Sequence, residues 1–335
     1  KYKDIFDVNY NDSFAFVGDN RFPIQGKMLW YDYLRSVIDA PVINGENHVI
    51  EDTINNSGTT DINYDSRIPS HVATDMWQGA IHGSDQTSNW LLSDNERTAQ
   101  SYPNATALYR PDLLSEISKT TLDMERLSDE ITAIQDAPSD TAILYSDASW
   151  NYNSNFTADN YNAYLAAIYN GHKVKFITEK TLDNLTDQKV LIVPNCANTT
   201  AETIQKIKTY IDGGGKVIFV GTDCLKKDRN NQSLSVDVLS AVSNLYSSAV
   251  TVDDISELSD ALYNTYDKMG LNAITVTDET TGRKVADTEW TAVRKDGDYI
   301  INLCNYSETH TPNISIRING KKVKQFRELR KDKTY

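Results

Sequence analysis

The stretch Asp39-Ala-Pro-Val-Ile-Asn-Gly-Glu-Asn-His48 sets a carboxylate at the end of a short apolar run. If that run is a strand, its side chains alternate. Val42, Asn44 and Glu46 then share one face, and Glu46 stands at the strand's C-terminal end. A carboxylate leaving a buried strand beside a glycine is costly unless it is paired or used. Paired, it is a helix cap or half of a salt bridge; used, it is a nucleophile or a proton-transfer group. The residues themselves favour the structural role and leave the catalytic one open.

Other reactive side chains form weaker patterns. Cys196, Cys224 and Cys304 follow no ligand or redox spacing, and the five histidines include no His-x3-His pair. No metal, disulfide framework or cofactor is expected. Cys196, in Val193-Pro-Asn-Cys-Ala-Asn198, stands just past an expected strand, where a glutamine amidotransferase carries its nucleophile. It lacks the glycine pattern of a nucleophile elbow and a downstream His-x-Glu, so a buried thiol is expected. Gly213-Gly-Gly215 precedes a strand, whereas phosphate loops follow one, so it is expected to cap a helix. Asp253-Asp254 has the character of a helix N-cap.

These residues need elements to position them, and the chain opens by alternating short strands with helices. Ile5–Asn9 is strand-like, Lys27–Ile38 has helical spacing, and Pro41–Glu46 is a second strand. A second helix falls within Ser66–His82, Thr87–Leu92 is a third strand, and Pro111–Ile134 is a long helix with Pro in its first turn. Three βα units predict a parallel sheet. After Ala137-Pro138, strands at Thr141–Tyr145, Lys173–Ile177, Val190–Val193 and Val217–Val220 alternate with helices at 158–170 and 200–211, an open doubly wound α/β pattern. From about residue 271 the pattern changes to short antiparallel strands at Ala273–Val276, Trp290–Val293, Tyr299–Asn305, Asn313–Ile318 and Lys322–Glu328. Lys295-Asp-Gly and Ile318-Asn-Gly supply turns between them.

At 335 residues the chain is long enough for two or three domains. A formal net charge of −14 repels a phosphate backbone or an anionic membrane surface, so nucleic acid is not an expected partner. No apolar run approaches the roughly 20 residues of a membrane span. The opening Lys-Tyr-Lys-Asp-Ile-Phe has neither an initiator Met nor a signal-peptide pattern. It reads as the interior of a fold, and localisation is left unknown.

Pro41-Val-Ile-Asn-Gly-Glu-Asn-His48 resembles the seventh strand of the clan of retaining (β/α)8 glycosidases, in which the Glu ending that strand is the nucleophile. Ile5-Phe-Asp-Val-Asn-Tyr10 resembles their sixth strand. Met76-Trp-Gln-Gly-Ala-Ile-His-Gly83 and Thr87-Ser-Asn-Trp90 resemble the seventh helix and eighth strand. The stretch from Asp140-Thr-Ala-Ile-Leu-Tyr145 to Gly215-Lys-Val-Ile-Phe-Val-Gly221 is similar to the trimerisation domain of family 42 β-galactosidases, which also end in a small β-domain.

The resemblance implies an α/β architecture in three parts. Residues 1–136 are the C-terminal half of a TIM-type (β/α)8 barrel, carrying strands six to eight. Residues 137–270 are a flavodoxin- or amidotransferase-like trimerisation domain, and residues 271–335 a small β-sandwich-like domain. It implies a β-glycoside or oligosaccharide substrate, double displacement at Glu46, and a homotrimer. The clan's acid/base is a Glu after an Asn on the fourth strand, which is expected upstream, so these residues alone should be catalytically incomplete. Asp7 and Glu51 are poor substitutes. Implied substrate contacts are Asn9, Tyr10, Asn44, His48 and Trp90. For Tyr10 a packed loop aromatic, for His48 an exposed loop histidine and for Trp90 simple core packing remain open. Trp77 and His82 belong to the far end of the barrel and are expected to be structural. The loops Glu51–Ser70 and Ser93–Tyr109 should rim the pocket. The other possibility is a non-catalytic carbohydrate-binding or oligomerisation fragment.

Overall fold

The computed structural model of the protein describes residues 7–13, 15–19, 22–49, 68–90 and 107–335. The chain divides into two compact units. The first comprises Lys1–Asp136 with Lys295–Ile300 and Gln325–Tyr335, and the second Ala137–Arg294 with Ile301–Lys324. Among the described residues no helix is long and apolar enough to cross a membrane.

In the first unit, β1 (Asn9–Ser13), β2 (Val42–His48) and β3 (Gln86–Trp90) form a parallel sheet in chain order. Helix α1 (Ile24–Val37) lies in the first crossover and α2 (Pro69–Ile81) in the second. Parallel neighbours require such crossovers, and strand, helix, strand in sequence order is the repeating unit of a TIM barrel. Pro69 starts α2 where a missing N–H costs nothing. The expected strand Ile5–Asn9 is displaced: Ile5 lies outside the described residues, and β1 runs on through Asn-Tyr-Asn-Asp-Ser. Its buried positions, Asn9 and Ser13, are polar, so a search for apolar alternation passes over them. The expected helix Pro111–Ile134 is two helices, α3 (Pro111–Arg126) and α4 (Ser128–Asp136). Leu127 leaves helical geometry at φ −108°, ψ 22°. Ser128-Asp-Glu130 then starts a new helix with acidic side chains at its positive end. Val72 and Met76 of α2 pack with Val49, Ala107 and Leu113 in a local core.

The second unit is built on a five-stranded parallel sheet of β4 (Thr141–Tyr145), β5 (Val174–Thr178), β6 (Val190–Pro194), β7 (Lys216–Val220) and β8 (Val250–Val252). The order β5-β4-β6-β7-β8 is the flavodoxin-like one. Its strands are continuous apolar runs because both faces are covered; Ile143, Ile192 and Ile218 are fully buried. The connecting helices are α5 (Asp147–Tyr152), α6 (Phe156–Ile168), α7 (Ala201–Asp212), α8 (Val236–Ser247) and α9 (Leu258–Lys268). Strand β8 and helices α5, α8 and α9 extend the expected pattern. Gly171 and Gly214 follow helices at φ +80° and +96°, as the cap positions require. Asp254 caps a short 3-10 turn by accepting from the Ser256 N–H.

The later strands are antiparallel where their pairing is defined. β9 (Ile274–Asp278) pairs with β12 (Ile314–Ile318), which pairs with β13 (Lys321–Lys322) across Asn319 and Gly320, both at positive φ. β10 (Thr288–Lys295) and β11 (Asp298–Asn305) form a hairpin across Asp296-Gly297. The expected strand Lys322–Glu328 does not form as one element. Its ends belong to β13 and to β14 (Arg327–Glu328), which pairs with β15 (Lys333–Thr334).

Candidate active site

Strand β2 is not a regular strand. Against β1, Asn44 stands opposite Asn11 but Glu46 opposite Asp12; against β3, Asn44 stands opposite Thr87 but Asn47 opposite Asn89. Gly45 is therefore an extra residue, a bulge. One inserted residue reverses the alternation beyond it. Val42, Asn44 and Asn47 are buried on the side of the helices, and Glu46 belongs to the opposite, open face. The expectation that Val42, Asn44 and Glu46 share a face is corrected on this ground.

On the open face the structure gathers four of the expected site residues. Glu46 is 39% exposed at the C-terminal end of β2, and its Oε2 lies 3.6 Å from His48 Nε2. That distance is too long for a hydrogen bond. His48 stands opposite Trp90 in the strand register, and their rings are 6.0 Å apart at 34°. Tyr10 lies over Gly45, where a Cβ would overlap its ring. Its hydroxyl hydrogen-bonds Asp12. That bond, with a small cost of burial and the negative charges of Asp12 and Glu46, holds the phenol above its ordinary range. Tyr10 therefore keeps its proton, and the open face carries a carboxylate, a phenol, an imidazole and an indole, groups that can attack and cradle a polar ring.

Asn9 and Asn44 are not brought to this group. The Asn9 amide donates to the carbonyls of Ile38 and Ala40, closing the connection from α1 to β2. Asn44 is fully buried and donates to the Tyr31 hydroxyl at 2.7 Å. Both face the helix side because they alternate with Tyr10 and, through the bulge, with Glu46. Asp7 is exposed. Glu51 and most of the two expected rim loops lie outside the described residues. His82 pairs with Asp32 at 2.8 Å, and the Arg330 guanidinium sits 5.4 Å over the Trp77 ring, so both are held in packing contacts.

Further residues missed in the sequence lie on and around the strand. Asp12 stands opposite Glu46 on the open face. On the helix side, the buried Lys27 ammonium donates to Asn47 Oδ1 at 2.7 Å and to Asp75 Oδ1 at 2.9 Å. Asn47 donates to Asp75 Oδ2 at 2.8 Å and to Asn89 Oδ1 at 3.2 Å. Tyr31 above them is pushed well up by burial and by the charge of Asp75. Position 27 falls on the apolar stripe of α1 with Ile24, Met28 and Tyr31, and position 75 on that of α2 with Val72 and Met76. A charge on each of two neighbouring buried stripes was the available signal.

Cys196 offers no competing site. Its thiol is fully buried, donates towards the Leu144 and Pro194 carbonyls, and is pushed far up by burial, which removes the thiolate a nucleophile needs. The residue with positive φ at the end of β6 is Asn195, at 46°.

No protein-family profile matches the chain. No curated protein matches it in sequence. Solved structures do match in fold. An apo exo-carrageenase of family GH42 from Bacteroides ovatus aligns with a TM-score of 0.69 at 20% identity, over 86% of this chain and 38% of that one. A GH42 β-galactosidase from G. stearothermophilus aligns at 0.71 and 13%, over 100% and 58%. The cold-adapted β-galactosidase of Rahnella sp. R3 aligns at 0.63 and 11%, over 96% and 61%. The chain thus spans between 38% and 61% of these three proteins. Its α/β architecture, with parallel sheets in both units, is similar in fold to part of these GH42 structures, and the βα units of the first unit fit a TIM-barrel fragment.

Proposed function

We propose that the chain is the C-terminal part of a retaining exo-glycosidase acting on β-galactosides or close relatives, with Glu46 as the nucleophile. The observation that carries this is the bulge at Gly45, which turns Glu46 to the open face at the C-terminal end of a parallel strand, where barrels do their chemistry. Double displacement needs a second carboxyl group, roughly 5 to 5.5 Å from the first, to protonate the leaving oxygen. We assign that acid/base to an upstream part of the barrel. Tyr10 orients the attacking oxygen, His48 bonds a sugar hydroxyl, and Trp90 offers an indole face to the ring. Residues 137–270 supply the contacts of a homotrimer, with residues 271–335 as the closing β-domain.

The test uses the full-length protein, offered aryl β-galactosides and carrageenan oligosaccharides. Turnover of one of them is expected. Glu46→Gln should lower kcat by more than about 10³-fold, because the covalent step has no other nucleophile. Unchanged turnover in the variant defeats the assignment. A full-length protein that binds sugar without turnover would leave the chain as a non-catalytic carbohydrate-binding fragment.

A further inference from the structure

We propose that the buried set Lys27, Asn47 and Asp75 positions the nucleophile by locking the Gly45 bulge in register; this rests on Glu46 having that role. An amide side chain has two acceptor sites and two donors, and all four of Asn47 are filled. Its oxygen accepts from Lys27 at 2.7 Å and from Asn44 at 3.0 Å, and its nitrogen donates to Asp75 and Asn89. Asn47 is thereby tied to α1, α2, β3 and its own strand at once. It is also one peptide from Glu46, on the opposite face.

The alternative register shows what the tie achieves. Without the bulge, Asn47 would turn to the open face and Glu46 would turn towards Tyr31 and Asp75. A buried carboxylate beside Asp75 has no compensating charge to spare, since Lys27 is already shared. The polar set therefore favours one register and penalises its neighbour. Stability alone does not account for it, because a buried ion pair is commonly no better than well-packed apolar side chains of the same volume. Three polar residues that could be replaced by a greasy core, yet fix the parity of the strand bearing Glu46, act on geometry. Small displacements matter at such a site: a misplacement of about 1 Å can cost roughly 10²-fold in rate.

Two variants of the full-length protein test this. Asn47→Ala keeps the Lys27–Asp75 pair and removes the tie. The double variant Lys27→Met with Asp75→Leu replaces the pair by apolar volume. An activated 2-deoxy-2-fluoro β-galactoside serves as the probe, with covalent labelling followed by intact mass and the labelled peptide identified. In the unaltered protein the label should fall on Glu46. In each folded variant, judged by far-UV circular dichroism, labelling rate and kcat should fall at least about tenfold while KM stays within about threefold, the split expected when attack geometry rather than binding is damaged. Should the double variant not fold, Asn47→Ala decides alone. Folded variants that label and turn over at the original rate overturn the inference, as does a loss lying wholly in KM. No label on Glu46 in the unaltered protein overturns the glycosidase assignment first, and this inference with it.

Discussion

At the scale of single residues, Gly45 and its neighbours decide what Glu46 can do. Tyr10 rests over Gly45 because there is no Cβ to exclude it. Gly45→Ala should therefore push the Tyr10 ring off the strand. Tyr10 is 60% exposed, so it can swing away cheaply, and unfolding stability should change by less than about 1 kcal/mol. Its hydroxyl would no longer lie over the residue that precedes Glu46, and kcat in the full-length protein should fall by about tenfold, equivalent to ~1.4 kcal/mol of barrier. Urea unfolding and steady-state kinetics measured together check this; a large stability loss with unaltered kcat would show that the glycine serves folding only. Glu46 as a candidate was legible in the sequence, since Gly-Glu at the end of an apolar run stands out. Its face was not. A bulge changes no residue type, so counting by twos from Val42 carries on past it and assigns Glu46 to the buried side.

At the scale of elements, strands β4 to β7 of the second unit were legible because they are short, largely buried apolar runs, as in Ala142-Ile-Leu144 and Leu191-Ile-Val193. Strand β1 was not, because its inward residues are Asn9, which donates to the Ile38 and Ala40 carbonyls, and Ser13, which bonds Asn11 and Tyr31. Lys27 escaped notice for a related reason: a lysine in an amphipathic helix is ordinarily a solvated one, and only its acceptors on β2 and α2 make the buried site tolerable. The glycine caps were legible, and two of them permit a comparison. Gly171 and Gly214 both have positive φ, but a Cβ on Gly171 would overlap the buried Trp290 ring, while a Cβ on Gly214 meets nothing within 4 Å. Gly214→Ala should cost only the backbone strain, about 1 to 2 kcal/mol. Gly171→Ala adds overpacking against a ring with little room to move, for about 2 to 5 kcal/mol in all. Thermal or urea unfolding of the two variants checks the order, and equal losses would mean that Trp290 yields without cost.

At the scale of the whole molecule, the carboxylates and the weaker acids, thiols and phenols, respond to pH in opposite parts of the range. Hydrogen bonds accepted from the Thr281 backbone and hydroxyl hold Asp278, and those from the Ser256 hydroxyl and backbone hold Asp254, below the ordinary carboxylate value. Their contribution is present above that value and is lost only as pH falls through the folded one, and both lie at the surface, where such effects are small. The alkaline side differs. Burial pushes the Cys224 thiol and the Tyr161 phenol up to about 12, and pushes Cys196, Tyr210, Tyr246 and Tyr266 up as well. All six lie in the second unit. For acids whose folded pKa is raised, the unfolded chain releases its protons first, so unfolding becomes proton-releasing above their ordinary values of about 9 to 10 and stability falls with rising pH. A chain that already carries a net charge of −14 also gains mutual repulsion over the same range. The urea midpoint, followed by circular dichroism at constant ionic strength, should be nearly flat from about pH 5 to 8.5 and decline steadily from about pH 9 upward. A midpoint at about pH 10.5 equal to that at neutrality would mean that these thiols and phenols reach solvent.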